Sequence, residues 1–186
     1  MAKKSGLSIY LSFLLRHKPE ERNLCMDKHG WVNVNELIDA VNAGGRYVLD
    51  YERLKELVDT DEKKRYQLSD DGTRIKACQG HSIPWVEVEL VYSKPPARLY
   101  HGTTVEAYKK ILESGYVSRM ERHAVHMQED VKMAWKSAKR WKKNPVVLGI
   151  DAETMYKEGY VFGKSENGVW CVEKVPVQYI VEKLYS

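Results

Sequence analysis

The stretch RYQLSDDGTRIKA, residues 65–77, decides how the first half of the chain is read. Two short runs with β-favouring residues flank Asp71-Gly72, a dipeptide suited to a tight hairpin turn. If Tyr66 points to the core, alternation turns Arg65 towards solvent. Upstream, Leu7, Tyr10, Leu11, Leu14 and Leu15 recur at helical spacing and form one apolar stripe. Asn33 is a candidate N-cap, with Glu36 placed to close a capping box. Leu37, Ile38 and Val41 are that helix's inner face, and the NAGG run at 42–45 ends it. A further helix starts at Asp50 and turns Leu54, Leu57 and Val58 inwards. Short helices followed by a β-hairpin make the winged-helix pattern, which is frequent in nucleic-acid binders but fixes no function alone.

Downstream, VEVELVYSKPPA (residues 86–97) reads as an alternating strand that stops at Pro95-Pro96. A domain boundary is expected at 92–97, giving lobes at 1–92 and 97–186. In the second lobe, RLYHGT (98–103) reads as a strand entering a turn at Gly102. A helix over 106–113 buries Tyr108, Ile111 and Leu112 and closes at Gly115. Asp130 caps another helix, with Val131, Ala134, Trp135 and Ala138 inside. The segments PVVLGID, GVWCVE and QYIVEKLY are rich in β-formers. The fold class is α+β.

Composition fits a folded protein: 43% of the 186 residues are hydrophobic and 30% charged, without low-complexity tracts. No apolar run reaches the roughly 18 residues of a membrane span. Ser8, Tyr10 and Ser12 interrupt the N-terminal apolar run, and no small-residue cleavage site follows, so it reads as an amphipathic helix of a cytoplasmic protein. Cys25, Cys78 and Cys171 form no CxxC pair. His123 and His126 have no neighbouring ligand set, so no metal is expected. Net charge is only +4, but KMAWKSAKRWKK (132–143) holds six cations around two tryptophans. Such clusters suit a phosphate-bearing partner, or a solvated helix face.

Several constellations can carry chemistry. Arg16 and His17 end the first helix before Pro19. As cations in a last turn they complement the helix dipole, and as a guanidinium beside an imidazole they make a phosphate clamp. Both readings stand at this point. QGHS (79–82) is a polar turn. His101, Gly102 and Thr103 offer an imidazole, a close-approach position and a hydroxyl for ribose and pyrophosphate. SRMERHAVHM (118–127) reads as a helix-free loop with arginines and histidines. FGKSENGVW (162–170) is a Ser/Asn/Gly loop entering a strand.

Taken in order, Arg16-His17-x-Pro19, Gly30-Trp31-Val32, Arg65-Tyr66, Gln79-Gly80-His81-Ser82, Tyr100-His101-Gly102-Thr103, Arg122 before His126, and Ser165-x-Asn167-Gly168-Val169-Trp170 form a pattern more specific than any one motif. The chain resembles the NAD-dependent RNA 2′-phosphotransferases over essentially its whole length. The resemblance implies a winged-helix lobe followed by a lobe of the ADP-ribosyltransferase type. It implies removal of an internal 2′-phosphate from RNA, typically a tRNA splice junction, by transfer to NAD⁺ as co-substrate and without a metal. The route runs through 2′-phospho-ADP-ribosylated RNA and yields 2′-OH RNA, nicotinamide and ADP-ribose 1″,2″-cyclic phosphate.

By the same resemblance Arg16, His17, Arg65 and Arg122 are the catalytic set. The arginines hold the phosphate and stabilise its charge; His17 contacts the phosphate and protonates the departing RNA O2′. Arg122, rather than Arg119, has the spacing of the family's third arginine. His101, Gly102, Thr103 and His126 are implied NAD contacts, with Arg140, Phe162 and Ser165 added by position. The chain departs from the family's pattern at Lys76, Cys78 and Ala124. A monomer is expected. The alternatives are an ADP-ribosyltransferase acting on terminal phosphates of nucleic acid, and a non-catalytic winged-helix RNA-binding protein.

Overall fold

A computed structural model describes residues 6–141 and 143–186. Lys142, one of the six cations of the 132–143 run, lies outside the described residues. The chain divides into two compact units, Met1–Glu89 and Leu90–Ser186, each with a core of its own. Both mix helices with small sheets, so the class is α+β. No helix among the described residues is long and apolar enough to cross a membrane.

In the first unit, α1 (Gly6–Arg16) buries Leu7, Leu11, Leu14 and Leu15. The serines that interrupt its stripe meet a core tyrosine: Ser12 Oγ lies 2.5 Å from Tyr66 Oη, which donates to the Ser8 carbonyl at 2.6 Å. A 3₁₀ turn, Pro19–Arg22, follows. Strand β1 (Val32–Asn33) leads into α2 (Val34–Ala43), whose Asn33 cap accepts from the Asn35 and Glu36 amides. The expected capping box is open on its other side, because Glu36 Oε1 instead accepts from Cys25 N at 2.5 Å. Helix α3 (Tyr51–Asp59) is capped by Asp50.

The hairpin of β2 (Tyr66–Leu68) and β3 (Arg74–Ala77) turns at Gly72, where φ is +68° and a side chain would be strained. Asp71 stabilises the turn by accepting from the Ser69 hydroxyl and the Thr73 amide and hydroxyl, which hold its carboxyl at about 2. The sheet order is β1-β3-β2, with Ile75 central between Val32 and Leu68.

The second unit begins with β4 (Leu90–Tyr92), which pairs with β9 (Gly163–Ser165) and so lies on this side of the division. The strand expected from residue 86 is therefore shorter. Residues 86–89 stay with the first unit, where Glu87 N donates to Lys28 O and Glu89 pairs with Lys76 at 2.6 Å. Strand β5 (Arg98–Thr104) passes straight into α4 (Val105–Ser114), then β6 (Tyr116–Ser118) and β7 (Val125–Met127). Thus the loop expected over 118–127 carries two strand segments. Helix α5 (Val131–Ala138), capped by Asp130, precedes β8 (Pro145–Asp151) and α6 (Ala152–Lys157). After β9 come β10 (Trp170–Val172), β11 (Lys174–Pro176) and β12 (Ile180–Tyr185). They form sheets β12-β8-β5, β4-β9-β10-β7 and β11-β6. In α4, Leu112 is 51% exposed rather than buried, while Tyr108 and Ile111 face the core.

The turn expected at Gly102 does not form: the strand continues through it, and Thr104 caps α4 by accepting from Ala107 N at 3.2 Å. The glycine is required by packing. A Cβ there would overlap the Ala134 carbonyl oxygen and lie 2.9 Å from Ala138 N, both backbone atoms of α5 or its end. Gly102→Ala is accordingly expected to lower unfolding free energy by about 1–3 kcal/mol, the range for overpacking a close contact. Urea denaturation of the two proteins measures this; equal midpoints would mean that α5 shifts at no cost.

Candidate active site

Arg16 and His17 close α1, and a single short segment, residues 78–82, holds them. Leaving β3, the chain first ties back to Arg65, whose carbonyl accepts from Cys78 N at 2.8 Å. At Gly80 (φ +86°) it bends past the Arg16 guanidinium, 3.6 Å from where a Cβ would sit. Ser82 N then donates to the Arg16 carbonyl at 2.9 Å, and Ser82 Oγ lies 2.9 Å from His17 Nδ1. A hydroxyl both donates and accepts. It therefore holds the imidazole in one orientation whether the ring is neutral or charged. His81 is almost wholly buried and packs on Gly30; its Nε2 is 3.1 Å from a Cβ built at that glycine. Four of the singled-out motifs thus interlock inside one unit.

Arg65 is not solvated as alternation implied. It is 9% exposed, and its guanidinium forms a buried ion pair with Asp61, whose second oxygen accepts from Arg65 N at 2.6 Å. Alternation misleads because β2 starts only at Tyr66; Arg65 precedes the strand and follows Lys64, a residue at φ +43°. Lys76, where the family's pattern has arginine, is also internal. It lies 4.6 Å over the Trp31 ring and pairs with Glu89, whose carboxyl this bond holds low.

A second cluster forms in the C-terminal unit. Backbone bonds between Tyr100 and Gln128 run both ways at 2.8 Å and bring β5 beside β7. His101 Nδ1 then donates to the His126 carbonyl at 3.0 Å, leaving Nε2 with acceptor character in the neutral ring. Burial pushes the His101 pKa below its ordinary value; the nearby Arg122 and Arg140 charges push the same way, and the bond to His126 opposes them in part. Arg122 Nη1 lies 3.4 Å from His126 Nδ1, and burial alone lowers the Arg122 pKa, with no carboxylate against it among the described residues. A largely desolvated guanidinium of this kind is an anion site in waiting.

The other candidates are placed differently. Gly102 lies under α5 and Thr103 is buried on β5. Phe162 belongs to the main core of its unit. Ser165 is committed to a turn: its hydroxyl accepts from Val169 N and donates to Val169 O or Asn167 Oδ1. Arg140 sits in the 3₁₀ turn after α5, 4.9 Å from the Trp141 ring centroid. Ser82 and Asp61 were not among the candidates. The signals for them were present, Ser82 inside QGHS and Asp61 four residues before Arg65 in DEKKR. Of the cysteines, Cys171 has its thiol pushed up to about 12 by burial, which makes it inert as a nucleophile near neutrality.

Residues 2–174 match the family described as RNA 2′-phosphotransferase, Tpt1 / KptA family. The chain belongs to this family. Curated relatives agree along the whole length. One from Pseudomonas syringae pv. tomato, named "Probable RNA 2′-phosphotransferase", is 42% identical over 179 residues, 96% of this chain and 94% of its own. Another of the same name, from Fusobacterium nucleatum, is 43% identical over 94% of this chain and 96% of its own. A third, from Rhodopirellula baltica, is 41% identical over 93% and 92%. For an RNA 2′-phosphotransferase family member, a fixed Arg-His pair in one unit and, in the other, a half-buried arginine with no carboxylate against it among the described residues are the chemically expressive features.

The Asp61–Arg65 pair yields a stability prediction. Asp61→Ala leaves a buried guanidinium uncompensated, a loss of about 3–5 kcal/mol, whereas Lys55→Ala removes only the exposed Lys55–Asp59 pair and should leave the melt nearly unchanged. Thermal melts of the two variants test this, and equal effects would show that Arg65 is solvated.

Proposed function

We propose that this protein removes an internal 2′-phosphate from RNA by transferring it to NAD⁺. The reading takes the N-terminal unit as a winged-helix lobe, consistent with its helices and the β1-β3-β2 sheet, and the C-terminal unit as an ADP-ribosyltransferase-type lobe. It takes a tRNA-like RNA as the substrate. The observation that carries it is the Arg16–His17 pair held by residues 78–82, in a chain of the RNA 2′-phosphotransferase family.

The donor set of the second cluster fits a dinucleotide. A neutral His101 whose Nδ1 is already a donor can accept from a ribose hydroxyl through Nε2, and Arg140 supplies charge for a pyrophosphate. NAD⁺ supplies a ribose C1″ bearing nicotinamide, a leaving group that departs neutral. The route passes through 2′-phospho-ADP-ribosylated RNA to ADP-ribose 1″,2″-cyclic phosphate. As the ribose O2″ gives up its proton and bonds to phosphorus while the P–O2′ bond breaks, charge builds on the phosphoryl oxygens and on O2′. Arg16, Arg65 and Arg122 are assigned to the former, where fixed charges contribute most. His17, oriented by Ser82, is assigned to the proton that O2′ takes up.

The test is to incubate the protein with RNA carrying one internal 2′-phosphate, with and without NAD⁺. The expected result is loss of the phosphate only with NAD⁺, together with a cyclic-phosphate ADP-ribose product. Arg122→Ala is expected to slow that release by roughly 100- to 1,000-fold, the cost of one lost transition-state donor. No turnover at any NAD⁺ concentration overturns the reading, and ADP-ribosylation of RNA ends without release points to the terminal-phosphate alternative.

A further inference from the structure

His17 does more than end a helix: it is one corner of a cleft of about 520 Å³ that lies wholly within the N-terminal unit. That volume is in the range of small-ligand sites. Its lining takes His17 and Lys18 from the end of α1, Leu24 after the 3₁₀ turn, and Ile83, Pro84 and Trp85, which follow Ser82 directly in the chain. The roles assigned so far use only the His17–Ser82 corner. Ile83 is buried, but the Trp85 indole is 52% exposed and belongs to none of the core clusters. Pro84 ahead of it restricts the backbone that presents the ring.

We propose that Trp85 is a stacking platform for the base of the RNA nucleotide whose 2′-phosphate meets Arg16 and His17. The inference rests on the proposed function and names a subsite of that same site. In a 2′-phosphorylated nucleotide the base and the phosphate are on neighbouring ribose carbons. A phosphate at His17 therefore delivers an aromatic ring one sugar away, the scale of this cleft. The rim charges decide what the cleft favours. Lys18 and Glu20, both on the lining, pair at 3.4 Å, which offsets the lysine's charge at the rim. Its apolar residues and an exposed indole suit a flat, neutral ring. Every base has a π-face, so such a platform grips RNA without reading its sequence.

The experiment measures binding without NAD⁺ of a short RNA carrying one internal 2′-phosphate, with the base at that nucleotide either present or abasic. Wild type is expected to bind the abasic RNA about 5- to 150-fold more weakly, the span for one base–aromatic stack. Trp85→Ala should bind intact RNA with a similar loss and show no further loss on base removal, while Trp85→Phe keeps most of the affinity. The Phe variant also guards against an Ala variant that fails to fold. Equal losses on base removal in wild type and Trp85→Ala overturn the inference, as does a raised KM for NAD⁺ with RNA affinity unchanged. If wild type binds 2′-phosphate and 2′-hydroxyl RNA alike, the proposed function falls and the subsite with it.

Discussion

The backbone of residues 78–82 carries the chemistry of the N-terminal unit because it must do several things in five residues. It leaves a buried strand, bonds the carbonyls of Arg65 and Arg16, passes the Arg16 guanidinium and delivers a hydroxyl to His17. Only a left-handed residue makes the bend, and Gly80 at φ +86° makes it without strain; the space beside it is ordinary contact distance, so conformation rather than room requires the glycine. His81 anchors the segment by burying its ring against Gly30, itself at φ +82°. An arginine and an imidazole at a helix end would otherwise sample many rotamers. Held in this way they are preorganised, and a phosphate bound there would meet fixed donors.

The two units treat their arginines differently. Arg65 is buried with Asp61 against it, a pair whose worth lies in holding a guanidinium in place as much as in stability. Arg122 is half-buried, with no carboxylate against it among the described residues, and lies 3.4 Å from His126 Nδ1. The first arrangement preserves geometry, and the second preserves unspent positive potential.

Much of the fold was legible because its signals are local. The leucine stripe of α1, the Asn33, Asp50 and Asp130 caps and the Asp71-Gly72 hairpin all follow from spacing within a few residues. What failed was non-local. Gly102 looked like a turn residue, but its role is to let α5 lie on the strand, and nothing near it in sequence announces that helix. Arg65 looked solvated because alternation was applied one residue beyond the strand. Glu36 reached for Cys25 rather than its own cap, since a competing amide was brought close by tertiary structure. The candidate site residues come from the order of motifs, whereas Ser82 becomes visible only through its hydroxyl against His17, a partner 65 residues away.

The central claim is that Ser82 fixes the His17 ring so that Nε2 is the nitrogen presented to phosphate. Long-range ¹H–¹⁵N NMR of the His17 side chain reports it directly, recorded with and without RNA bearing an internal 2′-phosphate. The account predicts an Nδ1 signal that moves in Ser82→Ala before RNA is added, and a shift concentrated at Nε2 when RNA binds the wild-type protein. An Nδ1 signal indifferent to Ser82→Ala, or a shift at Nδ1 with Nε2 unmoved on RNA binding, would contradict it.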